Sequence, residues 1–158
     1  MDIAVRPSRH GEEVEICNLA VRSFNEFIAP EFPEEGIGKF YEYANYRALR
    51  ERLESDYFVM VAEIDGEIAG VIEIKKHMHV SMLYVDKKYQ RRGVATRLLQ
   101  EAIGIIRKNS SKIKKITVNS SRHATVFYEE MGFRQRSPER IIDCIPHTPM
   151  SLTLKELR

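Results

Sequence analysis

Tryptophan is absent from this chain, cysteine occurs only twice, and neither sign of charge dominates. Each shortage removes a class of protein. With 25 basic residues against 23 acidic ones the formal net charge is only +2, far from the overall positive field of a dedicated nucleic-acid binder. Aromatic residues are not interleaved with the basic clusters either, so no base-stacking surface is expected. Cys17 and Cys144 have no metal-ligand spacing and form no disulfide framework, and both read as reduced and buried. His10, His123 and His147 are likewise scattered, and no metal is expected. No apolar run approaches the ~18 residues of a membrane span, and the N-terminal MDIAVRPSRHGEE lacks the apolar core of a signal segment. The protein is expected to be cytoplasmic, without a membrane or nucleic-acid partner. No G-x-x-x-x-G-K-[ST] follows a strand, which excludes the common phosphate loop of nucleotide hydrolases. Internal repeats and low-complexity tracts are missing as well.

What is present is an apolar fraction of 43% in 158 residues, enough for one well-buried core and too little chain for two ordinary domains. One domain over residues 1–158 is the expectation. Residues 3 to 6 read as a short first strand stopped by Pro7. From Glu12 to about Ile28, apolar residues recur at helical spacing. Pro30, Pro33 and Gly36 break that pattern. A second helical pattern then runs from Ile37 through Phe40, Tyr41, Ala44 and Ala48 to Leu53. The acids of the break, Glu26, Glu31, Glu34 and Glu35, read as a solvated loop before a trap for a cationic amine.

YFVMVAEI and EIAGVIEI, joined by Asp65-Gly66, form a hairpin signal, because Asp-Gly supplies the positive φ angles of a tight turn. Both faces of these strands are largely apolar, so helices are expected on both sides of the sheet, in an α/β or α+β layering. Lys112 to Asn119 reads as a later strand and Arg122 to Met131 as a short helix closed by Gly132. FRQR and IIDCI then flank a Ser137-Pro138 turn, and MSLTL completes the sheet.

The stretch from His79 to Ile106 organises the rest. It reads as a strand, HVSMLYV, a charged turn, DKKYQRRG, and a helix with apolar residues at 95, 98, 99, 102, 103 and 106 on one face. Gly93 lets the backbone approach a ligand closely, and the first helical N–H groups after it have no intrahelical acceptor. The helix dipole, with Lys87, Lys88, Arg91, Arg92 and Arg97 around it, makes a diphosphate the natural guest.

These residues resemble a known family. Gln90-Arg91-Arg92-Gly93-Val94-Ala95 is similar to Q/R-x-x-G-x-G/A, the pyrophosphate loop of the GNAT superfamily of acyl-CoA-dependent N-acetyltransferases. Ala124-Thr125-Val126-Phe127-Tyr128-Glu129-Glu130-Met131-Gly132-Phe133 looks like that family's A-x-x-F-Y-x-x-x-G-F run. The resemblance covers nearly the whole chain and implies a mixed, mostly antiparallel central sheet with helices on both faces. It implies acetyl-CoA as co-substrate, held by the main chain of Leu83, Tyr84 and Val85 and by the turn from Gln90 through Arg91, Arg92, Gly93, Val94 and Ala95 to Thr96. It also places Tyr128 near the CoA sulfur as proton donor to the leaving thiolate. The family often has Asn where this chain has Ser121, and Asn119, two residues earlier, stands in on the same strand face.

Acetyl transfer to an amine also needs a base. Some relatives have glutamate at the position of Ile116, which cannot accept a proton. Glu73 and His79 are the polar residues within apolar strand patterns, and a histidine near neutrality suits deprotonation of an amine. The expected activity is N-acetyl transfer from acetyl-CoA to a primary amine, small-molecule or peptide, by direct attack in a ternary complex. Both cysteines lie outside the motifs, so no acyl-enzyme nucleophile is expected. The alternative is a CoA-binding regulatory domain without turnover. A homodimer stays open, and the segments that shape the acceptor pocket match no motif.

Overall fold

The computed structural model describes residues 2–142 and 144–154. Strand β1 (Ala4–Pro7) lies at a sheet edge, where a proline need not donate. Helix α1 (Glu13–Phe27) buries Ile16, Leu19, Ala20 and Phe24 at helical spacing. A 3-10 turn (Ala29–Glu31) leads to α2 (Glu34–Tyr43). The second helical pattern is two helices, not one. Ala44 leaves the helical region at ψ 45°, and the Asn45 side chain accepts from Arg47 N–H at 2.9 Å, capping a separate α3 (Tyr46–Leu53). Asparagine competes for backbone hydrogen bonds locally, so it starts a helix better than it continues one.

Strands β2 (Tyr57–Ile64) and β3 (Glu67–Lys75) join through Asp65 and Gly66, both at positive φ, as expected for that dipeptide. The next turn, into β4 (His79–Val85), uses the same handedness at Lys76 (φ 52°) and His77 (φ 61°), which have no sequence signature for it. Helix α4 (Val94–Asn109), β5 (Lys115–Ser120) and α5 (Thr125–Glu130) follow. Gly132 sits just beyond α5 with φ 98°, the expected terminating glycine.

The last strands are β6 (Arg134–Gln135), β7 (Arg140–Ile142) and β8 (Ile145–Thr153). Cys144 is therefore in the turn between β7 and β8, at φ 64°, not inside a strand, and it is only partly buried. Strand β8 runs unbroken through Pro146 and Pro149, which pair in register with Ile141 and Asn119. The sheet order is β1-β2-β3-β4-β5-β8-β6, with β7 paired to β8. Every pairing is antiparallel except β4 with β5.

Helices cover both faces. On one side α4 packs Leu98, Leu99, Ala102 and Ile106 against Ile72, Ile74, Ile116 and Met150, all essentially inaccessible to solvent. Each of the leucine, isoleucine and methionine side chains contributes about 1.5–3 kcal/mol by leaving water. On the other side α1 and α3 bury Ile16, Leu19 and Leu49 against Val59, Val61 and Val71. Gly70 sets the distance between β3 and α4: a Cβ there would stand 2.9 Å from Val94 Cγ1 and 3.0 Å from Leu98 Cδ1. The start of α4 is thus held tightly over the sheet, close to the end of β4.

Candidate active site

Strands β4 and β5 pair at only two positions, His79 with Thr117 and Val80 with Val118, and then part. A bulge lies just past that point, with Ser81 as the extra residue between the Glu73–Met82 and Ile74–Val80 pairs. Asp86 N–H donates to Ala69 in β3, so by alternation Tyr84 also faces β3, and the main chains of Leu83 and Val85 face the gap. Val85 C=O is there, accepting from Ser23 Oγ at 3.2 Å and Gln90 Nε2 at 2.7 Å. Leu83 presents its amide and carbonyl to a cavity of about 940 Å³, which Asn119, Ser121 and Tyr128 line from the opposite wall.

The α4 end of the gap is rich in donors. Gly93 caps α4 in the left-handed region (φ 79°), and Arg91 is left-handed too (φ 62°). The first bond of the helix is Arg97 N–H to Gly93 C=O at 3.0 Å, and no side chain caps the turn. The amides of Val94, Ala95 and Thr96 therefore precede the ladder, and a Cβ at Gly93 would meet nothing within 4 Å. Such a cradle fits an anion. The cations around it are less uniform than the sequence suggests. Lys87 pairs with Glu26 at 2.7 Å, Lys88 with Glu67 at 3.1 Å and Arg97 with Glu101 at 3.7 Å. Arg91 has no carboxylate partner among the described residues. Gln90 braces Val85 from behind the turn.

Tyr128 is 4% exposed, edge-on to Phe127 and Phe133. Its hydroxyl makes no hydrogen bond among the described residues, and burial, then the nearby Tyr84, push its pKa well above the ordinary phenol value. Ser121 is spent on local structure, its Oγ accepting from Ala124 N–H at 3.2 Å and its C=O from Thr125 Oγ1 at 3.0 Å. Ile116, where a relative's glutamate would stand, points into the α4 core.

Glu73 and His79 both lie on the face away from α4, but in different surroundings. Glu73 is fully buried. One oxygen accepts from Arg52 Nε at 3.0 Å, and the other from the Tyr43 hydroxyl and from Ser81 Oγ at 2.7 Å. Arg52 is fixed in turn, its Nη1 donating to Tyr43 C=O at 2.7 Å and its guanidinium 3.7 Å over the Tyr43 ring. His79 lines the cavity, with Nδ1 2.8 Å from Thr117 Oγ1. Burial lowers its pKa, and Lys75 and His147 lower it further by charge repulsion.

A family model described as an acetyltransferase (GNAT) domain matches residues 28–154. The chain belongs to the GNAT acetyltransferase family. The uncharacterized N-acetyltransferase YafP of Escherichia coli K12 is 29% identical over 140 residues, covering 89% of this chain and 87% of that one. A GCN5-related N-acetyltransferase from Rhodopseudomonas palustris superposes with a TM-score of 0.84 at 22% identity, covering 98% and 97%. The PaiA N-acetyltransferase of Thermoplasma acidophilum, whose structure is a complex with coenzyme A, gives 0.81 at 22% identity, covering 98% and 100%.

In this GNAT chain, sequence reasoning missed Tyr43, Arg52 and Ser81. Nothing in a linear reading joins α2, α3 and a strand bulge; the one available signal was Glu73 itself, a carboxylate in an apolar strand that must find partners. Among the described residues, no group of three or more His, Cys, Asp or Glu side chains could hold a metal, and no helix is long and apolar enough to cross a membrane.

Proposed function

We propose that the protein transfers an acetyl group from acetyl-CoA to a primary amine by direct attack in a ternary complex. The observation that carries this reading is the parting of β4 from β5 beside the uncapped start of α4. The Leu83 main chain fits an amide-bearing arm, as one more strand would be received, and the amides of Val94, Ala95 and Thr96 fit a diphosphate. Acetyl-CoA, bound so, supplies an acyl thioester next to Tyr128.

His79 is the base in this reading. Its lowered pKa favours the neutral imidazole, and in the tautomer that donates from Nδ1–H to Thr117 Oγ1 the other nitrogen, Nε2, accepts the ammonium proton. The freed amine attacks the thioester carbonyl, the C–S bond breaks as the Tyr128 hydroxyl gives its proton to the thiolate, and the second proton shed by the nitrogen as the amide forms restores the phenol. A phenol held neutral by burial is suited to donate at that moment only. Glu73 has no exposed surface and acts behind the site, through Ser81 and Tyr43, as a positioning group.

The test is calorimetry of CoA binding alongside thiol release over a panel of amines, amino acids and peptides. Binding with release on at least one amine supports the enzyme. Binding without release on any of them moves the assignment to a CoA-binding regulatory domain.

A further inference from the structure

Beside His79 lies a second, smaller cavity of about 370 Å³, lined by His79, Thr117, Asn119, Arg136, Ser137 and Arg140 among others. Ile116 and Val118 point into the α4 core, so Thr117 and Asn119 point to the opposite face, the one that carries Glu73 and His79. The cavity therefore adjoins the acceptor side of the site and not the α4 side. No acidic residue among the described residues lines it.

Its two arginines are exposed and uncommitted. Arg140 Nη2 donates only to Ser137 Oγ, at 2.9 Å, and neither Arg136 nor Arg140 has an ion-pair partner among the described residues. Glu139, adjacent in sequence, is paired with Arg122 through bonds of 2.8 and 2.6 Å. Further positive charge reaches His79 from Lys75. Two guanidinium groups without carboxylates, next to the group read as the base, form a place for an anion and a poor place for a second cation.

We propose that the acceptor is an amine that also carries an anionic group, a carboxylate or a phosphate, and that Arg136 and Arg140 hold this group while the amine faces His79. This rests on the acetyltransferase reading above and adds the substrate class to it. The arginines are specificity determinants and touch none of the reacting atoms. Loss of their contacts should raise KM for anionic amines and leave the pH profile of kcat in place.

The test pairs acceptors that differ in the anion alone: glycine with methylamine, β-alanine with ethylamine, and O-phosphoethanolamine with ethanolamine. In the wild-type protein at least one anionic member should exceed its neutral partner in kcat/KM by about tenfold or more, a preference that falls with added salt. Whether the carboxylate or the phosphate pair shows it identifies the source of the charge. In the Arg136→Gln/Arg140→Gln variant the ratio should collapse toward one through KM, and Arg136→Lys/Arg140→Lys should restore part of it. Equal kcat/KM within every pair, or a ratio that the double variant leaves unchanged, overturns the proposal.

A binding arm separates this from the function itself. The CoA-loaded protein is titrated with the same six compounds and followed by NMR at the Arg136 and Arg140 side chains. Selective shifts from anionic amines, without any turnover, would uphold the site and remove the enzyme reading. Turnover of neutral amines, without selective shifts, would do the reverse.

Discussion

Ser81 Oγ donates to the Glu73 carboxylate at 2.7 Å from the one residue of β4 that lies outside the strand register. The bulge thus places a hydroxyl between a carboxylate with no solvent access and the cavity where the strands part. Glu73 can influence chemistry in the cavity only through such intermediaries, and among the described residues its ion-pair partner is Arg52.

Glu73→Gln should therefore act first on stability. Removing the carboxylate charge leaves the Arg52 guanidinium uncompensated at 11% side-chain exposure, and breaking a buried pair from one side costs about 3–5 kcal/mol. Denaturant unfolding should show a loss of that order. Ser81→Ala removes one hydrogen bond to the same carboxylate and should cost only about 1 kcal/mol. Equal losses for the two variants would contradict the assigned hierarchy.

Tyr128→Phe keeps the ring contacts with Phe127 and Phe133 and removes the proton. On a confirmed amine, kcat should fall by about 100-fold, while acetyl-CoA affinity and melting temperature barely change. Intact turnover in a folded variant would show Tyr128 to be a packing residue only.

Gly93→Asp tests the anion cradle. A Cβ there meets no atom within 4 Å, so the fold should survive with some strain from the positive φ, yet a carboxylate would stand where the diphosphate is expected. CoA affinity should weaken by more than about tenfold in calorimetry. Gly93→Asn, equal in shape and neutral, should lose much less; similar losses for both would locate the effect in backbone strain.

The pH dependence of His79 has a definite sign. Its folded pKa lies below the ordinary histidine value, so the unfolded chain takes up a proton that the native state resists. Stability is complete above the ordinary value and declines as pH falls through it. His79→Gln should flatten that decline in a series of chemical denaturations. The same variant should lose the acid limb of kcat/KM, which in the wild type should lie below the ordinary histidine pKa.

The strand-turn-helix at residues 79–106 and the Asp65-Gly66 hairpin were legible because local rules fix them: alternation, helical spacing, and glycine where φ must be positive. The same rules failed where tertiary context decides. Asn45 divides one helical pattern into two by capping, and Pro146 and Pro149 sit in a strand whose other residues supply the ladder. Lys76 and His77 turn a hairpin with no turn residue at all. At the candidate site, Gly93 and Tyr128 could be singled out from motifs. Arg52 and Tyr43 could not, since their role exists only once α2 and α3 are laid over β3. The two arginines beside His79 belong to no motif, and only the pairing of β8 with β5 brings their loop near that strand.

The seam between β4 and β5 also bears on how the molecule breathes. Two residue pairs join a half-sheet built on the consecutive hairpins of β2 to β4, with β1 at its edge, to a half-sheet that closes late in the sequence, β5 with β8. Amide exchange should report two cooperative blocks, with the first more protected because its contacts are local. Any ligand that bridges Leu83 and Asn119 spans both blocks and supplies hydrogen bonds where the ladder stops. Its binding energy then enters the cohesion of the whole sheet, so exchange in β5 and β8 would slow along with that in β4, and the filled protein would open as one block instead of two.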